Sequence, residues 1–526
     1  MPAGVTISPV QHRGAVHLPA PLARAASIAL SGSLLAAPAV AQTTPEPSLP
    51  PSPASGPTSP RPAEPTPAPG CLSARRPDIV MFYLDDFAPR PRSMWGDPER
   101  TPYLARFVNR GLRFDNAIVS TPLCGPSRAG LLTGRYGHSS GVVANDVSPY
   151  RADNDIAEKL SKVGYRTVYV GKHINRLADD RPLRVQMDRL AEHWDEFDVM
   201  WEDQGKFYDW LQYRKDETVR YGTEPGDHSS RVSAERAVEH IAATPPDQPL
   251  FMLISLVDGH IPITPMQRHR DAAACADIEP WSGPAFNEKD VSDKPSHIQA
   301  TPPLALTEYD LVPRCEQSLT IDWVIRKVTK ALREAGRLDD TLQVLTADNG
   351  WLMGDHRIIG KSYPYATPVP AYVRWPAELG TAKRVVEEPV TNLDWLPTFC
   401  ELAGCGVPRA DGMSLVPLIT GETDRLEREF LFVELLYDNA RYPDDPRARP
   451  AYTGVETTLG YSDTRWVFTR YSNGEAELYN LSEDPHRLEN LHGRDGYGKV
   501  TRQLQRFHKS VKQADGVEWL ETPGFR

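Results

Sequence analysis

The chain has 526 residues, a quarter of them charged, with 50 prolines, six cysteines and a formal net charge of −11. That length supports a large core and more than one folding unit, and the acidic balance excludes a broad nucleic-acid-binding face. An anionic ligand would have to be held by a local basic pocket rather than by the field of the whole molecule.

Residues 1–41 read as an export signal, implying a periplasmic or secreted protein. Arg13 and Arg24 precede an alanine-rich apolar run over 25–37, and Ala39-Val40-Ala41 fits a small-residue cleavage site. The run is too short for a membrane span. Residues 42–75 are predicted to be a Pro-rich linker, since 43–69 carry no apolar periodicity and cannot build a core. Folded structure is expected over 76–425, followed by a smaller unit over 426–526. Export permits disulfides among Cys71, Cys124, Cys275, Cys315, Cys400 and Cys405. Cys400 with Cys405, and Cys275 with Cys315, are plausible pairs, but spacing alone does not fix connectivity.

The first buried strand is expected at 79–84 (Ile-Val-Met-Phe-Tyr-Leu), a continuous apolar run of the kind found in parallel sheets. It stops at Asp85-Asp86, and adjacent carboxylates at a buried strand end are costly without a cation or water. Helices are predicted over 101–108 and 155–163, the latter ended by Gly164, and a strand over 165–170 delivers Gly171-Lys172-His173. A polar, Trp-containing insertion over 177–231 carries no legible pattern. A helix over 233–243 leads to a third buried strand at 250–256, with His260 just beyond it. A helix over 319–335 leads to a fourth at 342–347, ending in Asp348-Asn349. Another strand is expected within 369–376. From about 426, shorter strands dominate, including 429–433 and 464–469, before a last helix over 500–511.

Strands separated by helices predict an α/β fold with a mostly parallel central sheet. In such sheets ligands bind beyond the carboxyl ends of the strands, where this chain places Asp85/Asp86, Lys172, His260 and Asp348/Asn349. The stretch Cys124-Gly125-Pro126-Ser127-Arg128 precedes a helix-forming run, and Pro126 suits a first helical turn. Cys124 is therefore expected at a helix mouth, where backbone N–H groups would attract an anion and acidify the thiol. A cysteine seen alone is more often a core or disulfide residue. A cysteine-phosphatase loop needs five residues between Cys and Arg, and this chain has three.

The Cys-x-Pro-Ser-Arg pattern, with Leu131-Leu-Thr-Gly-Arg-Tyr136 after it, resembles the signature of the type I sulfatases. The resemblance extends from about Asp78 to Leu491. It implies an alkaline-phosphatase-like large domain and a smaller C-terminal α+β domain with an antiparallel sheet. It also implies sulfate ester hydrolysis. Cys124 would be oxidised to formylglycine by a separate maturation enzyme and would hydrate to a geminal diol, one hydroxyl of which attacks sulfur. Oxygen-only ligands suit a hard divalent cation; in the family, residues matching Asp85, Asp86, Asp348 and Asn349 hold calcium beside the residue at Cys124. No His or Cys pair has zinc-like spacing. By the same resemblance Arg128 orients the diol, Lys172 and Lys361 clamp sulfate oxygens, His260 protonates the leaving alcohol, and Asp348 helps activate the diol.

Three positions depart from the common pattern. Lys172-His173-Ile174-Asn175 stands where many members have Lys-x-His, so either His173 or Asn175 would meet the diol. Tyr365-Ala366 stands where many have Tyr-Glu, removing an expected carboxylate. Gly125 fills the variable position of the cysteine motif. The first departure, together with His138-Ser-Ser-Gly-Val-Val-Ala-Asn145 and Tyr221-Gly222, resembles the N-acetylglucosamine-6-sulfatase branch and favours a sulfated sugar or glycan over an aryl sulfate. Asn145 reads equally as a substrate contact or a turn residue. Competing readings are a phosphonate or phosphate ester hydrolase of the same superfamily, and a sulfatase-fold binding protein without catalysis.

Overall fold

The computed structural model describes residues 76–146, 148–175, 182–200, 205–406, 409–436, 449–459 and 464–515. The export signal, the Pro-rich linker and Cys71 lie outside the described residues.

Ten strands make the main sheet: β1 (Asp78–Leu84), β2 (Leu112–Phe114), β3 (Arg166–Gly171), β4 (Glu196–Met200), β5 (Trp210–Tyr213), β6 (Thr218–Tyr221), β7 (Leu250–Ser255), β8 (Thr341–Ala347), β9 (Ala371–Arg374) and β10 (Arg384–Val386). Their spatial order is β10-β2-β9-β8-β1-β7-β3-β4-β5-β6. The central strands β8, β1, β7, β3 and β4 are mutually parallel, and β9, β5 and β6 run against their neighbours. β1, β7 and β8 are buried along their whole lengths, which is why β1 and β7 read as nearly continuous apolar runs, while β8 also buries Gln343 and Thr346. In register, Leu84 pairs with Ala347, Tyr83 with Ser255, and Gly171 with Ser255. The residues after β8, β1, β7 and β3 therefore emerge along one edge.

Three helices bear on that edge: α1 (Cys124–Thr133), α2 (Ser229–Ala243) and α3 (Val312–Glu334). α3 begins seven residues earlier than its apolar periodicity predicts, because Pro313 sits in the first turn and opens the helix. The insertion that carried no legible pattern supplies β4, β5 and β6. Trp194 and Trp210 are buried there, and Trp210 stacks on Tyr221 at 4.6 Å between ring centroids. Tyr221 thus packs within the sheet extension.

The C-terminal sheet is antiparallel, in the order β11 (Leu431–Leu435), β12 (Tyr452–Leu459), β13 (Thr464–Tyr471), β14 (Ala476–Asn480). Helix α4 (Gly498–Asp515) lays Leu504 and Phe507 against it. Cys275 is bonded to Cys315 and Cys400 to Cys405, with Cα separations of 5.8 and 4.6 Å. Cys124 is free.

Candidate active site

All ten residues of α1 are buried, and Gly134 closes the helix in the left-handed conformation. This holds Cys124 at the helix mouth, facing the edge where the four parallel strands end. Asp85 and Asp86 follow β1, Asp348 and Asn349 follow β8, and all four are completely buried. Ligand atoms of Asp85, Asp86, Cys124 and Asp348 lie within 4.8 Å of one another. The Asp86 N–H donates to Asp348 Oδ1 at 3.1 Å, and Asn349 Nδ2 donates to Asp86 Oδ1 at 2.7 Å.

Cations crowd the same space. Arg128, one turn along α1, donates to Asp348 Oδ2 (2.8 Å), to Ser255 Oγ (2.7 Å) and to the Lys172 carbonyl (3.1 Å), and lies 3.6 Å from Asp85 Oδ2. Lys172 pairs with Asp85 and lies 3.8 Å from the Cys124 sulfur. Lys361 pairs with Asp86 and reaches that sulfur at 2.7 Å. Burial opposes the charge on Asp85, but Lys172, Arg128 and Lys361 overcome it and hold the carboxyl well below the usual range. Asp348 moves the other way, raised by burial and by the charge on Asp85. The two carboxyls are driven apart, as paired acid and base groups require.

Two glycines make the approach possible. Gly171 has φ +99, and a Cβ there would lie 2.0 Å from the Ser255 carbonyl oxygen. Gly259 has φ +113, and a Cβ there would lie 1.7 Å from the Asp85 carbonyl oxygen. Only a residue without a side chain lets the Lys172 and His260 segments cross this closely. His260 donates from Nδ1 to its neighbour's carbonyl, Ile261 O, at 2.6 Å. Burial lowers its pKa, with Asp85 pulling the other way.

The thiol overturns one expectation. Helix-mouth position predicts an acidified cysteine, whereas burial pushes Cys124 up to about 12 against the pull of Lys172 and Lys361, with Asp85 and Asp348 adding to the rise. Desolvation and two nearby acids outweigh the two lysines. An unmodified cysteine here is a poor thiolate nucleophile.

The donor set fits a cation. Asp86 Oδ2 and Asn349 Oδ1 are buried and have no hydrogen-bond partner, and buried acceptors left open call for a ligand. With Asp85 and Asp348 they present hard oxygens suited to calcium.

Of the remaining expected residues, His173 lies among Tyr150, Tyr169 and Phe197, with ring centroids at 6.4, 4.9 and 4.9 Å. Neither of its nitrogens is partnered, and burial lowers its pKa to about 3. Asn175 is half-buried, with Oδ1 unpartnered. Asn145 Oδ1 accepts from the Gly125 N–H at 2.9 Å, and a Cβ on residue 125 would press on Asn145 at 3.0 Å, so glycine suits the variable position of the motif. Beside Tyr365 the carboxylate comes from the C-terminal sheet: Tyr365, Tyr471 and Tyr479 all donate to buried Glu477.

Sequence reading missed Arg314 and Gln317 on α3. Arg314, buried, donates to the carbonyls of Asp86 (3.4 Å) and Gly259 (3.3 Å) and lies 5.2 Å from the Trp351 ring. Gln317 accepts from the Gly259 N–H at 2.8 Å. Together they tie the segments after β1, β7 and β8. The only signal for them was an arginine just after Pro313, ahead of the predicted helix, and it names no target.

Comparisons with known proteins bear on this geometry. The family described as "Sulfatase" matches residues 77–405, and "N-sulphoglucosamine sulphohydrolase, C-terminal" matches 354–514. An N-acetylglucosamine-6-O-sulfatase of Bacteroides thetaiotaomicron is 25% identical over 514 residues, covering 84% of this chain and 87% of the relative. The N-acetylglucosamine-6-sulfatase of Capra hircus is 26% identical, covering 80% and 82%. Among solved structures, one described as bound to its substrate D-glucosamine-2-N,6-O-disulfate superposes with TM-score 0.65 at 21% identity, covering 86% of this chain and 99% of that one. A phosphonate monoester hydrolase from Silicibacter pomeroyi superposes with TM-score 0.64 at 20% identity, covering 84% and 96%. At these identities the superpositions establish the shared fold.

Proposed function

Since the chain belongs to the sulfatase family and is a sulfatase, we propose that it removes sulfate from a sulfated sugar or glycan, with residue 124 acting as formylglycine beside a calcium ion. The observation that carries this reading is the pair of open, buried oxygens on Asp86 and its partner Asn349, in a cluster with Cys124, whose sulfur both lysines approach. Asp85, Asp86, Asp348 and Asn349 would hold the ion, with residue 124 at its edge. When bound, calcium supplies positive charge to a sulfate oxygen and to the attacking hydroxyl, and the formylglycine hydrate supplies that hydroxyl.

The chain's own groups do the rest. Lys172 and Lys361 bracket residue 124 and neutralise the ester's oxygens as charge builds. Arg128, fixed by Ser255 and the Lys172 carbonyl, holds Asp348 and Asp85 in register with residue 124. Asp348, clustered with residue 124 and held by Arg128, takes the hydroxyl proton. His260, with Nδ1 committed to Ile261, offers Nε2 to the leaving alcohol. Its lowered pKa means a proton carried there is readily given to an alkoxide. Asn175, half-buried with an open oxygen, takes the place beside the diol, while His173 supports the loop from its aromatic surroundings.

Export through residues 1–41 agrees with the two disulfides, which persist in oxidising compartments. Among the described residues no helix is long and apolar enough to cross a membrane. Residues 76–425 are assigned as the catalytic domain and 426–526 as the smaller one, its carboxylate Glu477 reaching Tyr365 of the larger.

The test is co-expression with a formylglycine-generating enzyme, peptide mass spectrometry across residue 124, and turnover of N-acetylglucosamine-6-sulfate beside a phosphonate monoester and a phosphate diester. An aldehyde at 124 with sulfate release is expected, and Cys124→Ala should lose roughly 10⁴-fold or more in kcat with its fold intact. Active protein carrying only cysteine, or a preference for the phosphonate, would overturn the reading.

A further inference from the structure

Helix α4 has two unlike faces. Val500, Leu504, Phe507 and Val511 turn to the C-terminal sheet, where Phe507 stacks on Phe430 with centroids 5.1 Å apart. On the other side Lys499, Arg502, Arg506 and Lys509 are all exposed. Their spacing of three, four and three residues puts them in one row, about 15 Å long. No Asp or Glu occurs between Tyr497 and Ala514. Among the described residues none of the four cations lies within ion-pair distance of a carboxylate.

This arrangement costs the helix something and returns nothing within the chain. Like charges three or four residues apart repel, and Lys499 stands in the first turn, where the dipole disfavours a cation. Glutamine or serine would solvate the outer face equally well. The row also runs against the overall charge of −11, so it is a local feature and not a share of a basic surface.

We propose that this row is a docking site for a sulfated glycan chain, separate from the residue-124 site. The inference rests on the reading that the substrate is such a glycan. A linear polyanion presents charges at intervals that a straight row of four cations can meet together. A polymer held there stays at high local concentration near the hydrolytic site. Among the described residues, the exposed face of α4 adds Gly498, Gln503 and Ser510 to the four cations. It has no aromatic ring to stack on bases, as single-stranded nucleic acid needs, and no exposed apolar side chain to enter a bilayer.

The test compares the full chain with the variant Lys499→Gln/Arg502→Gln/Arg506→Gln/Lys509→Gln. Three probes are used: heparin as the sulfated polysaccharide, vesicles rich in anionic phospholipid, and single-stranded DNA. Heparin affinity should fall about ten-fold or more, with a shallower salt dependence. Turnover of the monosaccharide sulfate should be unchanged, and the KM for a sulfated polysaccharide should rise. Unchanged heparin affinity would overturn the proposal. So would equal or larger losses on vesicles or DNA, which would mark the row as a membrane or nucleic-acid contact. Heparin binding is read without turnover, so failure of the hydrolase reading, seen as no release from the monosaccharide sulfate, remains distinguishable from failure of the docking site.

Discussion

Two buried carboxylate centres in this molecule are solved in opposite ways. At Glu477 the oxygens meet three phenols: Tyr365 and Tyr479 on Oε1, and Tyr471 on Oε2. Burial, and then the charge of Glu477, push those phenols well above their usual range, so they remain donors. At Asp85, Asp86 and Asp348 the neighbours are fixed cations, yet Asp86 Oδ2 and Asn349 Oδ1 stay open. A buried charge met by neutral donors is a finished join between two parts of the chain. One that leaves acceptors open among cations is built to receive something.

Removing calcium should break the second centre and spare the first. Chelation, or Asp86→Asn, is expected to cut turnover roughly 100-fold or more. Calcium at 100 times its Kd should stabilise the fold by about 2.7 kcal/mol, visible as a raised Tm. A Tm indifferent to calcium would remove the distinction between the centres.

Glu477→Gln tests the finished join. Exchanging an ionised acceptor for an amide beneath three phenols should cost about 1–3 kcal/mol in urea unfolding. The calcium-induced rise in Tm should survive unaltered. If that rise vanished with Glu477, the two centres would be one unit and the comparison would fail.

The smallest effect sharpens the contrast with a carboxyl that has hydrogen bonds but no cation. Burial pushes Asp155 up to about 7, although the Glu158 N–H and the Tyr150 hydroxyl pull it down. The native state therefore keeps a proton that the unfolded chain has released above about pH 4. Stability contributed there falls as pH rises from about 4 through 7. Asp155→Asn preserves an acceptor for the Glu158 N–H and should flatten that limb of the Tm–pH curve. An unchanged limb would mean that Asp155 is ionised throughout.

Much of this architecture could be read from residue order. Apolar runs over 79–84 and 250–256 marked buried strands, β-branched and aromatic residues marked the strand before Lys172, and a shared binding edge followed from the rule for parallel sheets. Cys124, Pro126 and Arg128 stood at the start of a helix because proline and spacing demand it. The insertion over 177–231 stayed illegible. β5 and β6 are short, and their order comes from Trp210 stacking on Tyr221, a pairing that exists only once the strands are side by side.

Residue order was enough to pick out the groups available for chemistry and to set them at strand ends, since backbone periodicity and charge cost are local properties. The tertiary structure alone decided how they behave together. The depth of burial raised the Cys124 thiol that its helix position should have acidified. Chain packing set Lys361 against the sulfur, and burial with neighbouring charges drove Asp85 and Asp348 apart in proton affinity. Arg314, far along the chain, came to tie three strand ends together. Each of these depends on distance and desolvation, which arise from packing and leave no mark on neighbouring letters.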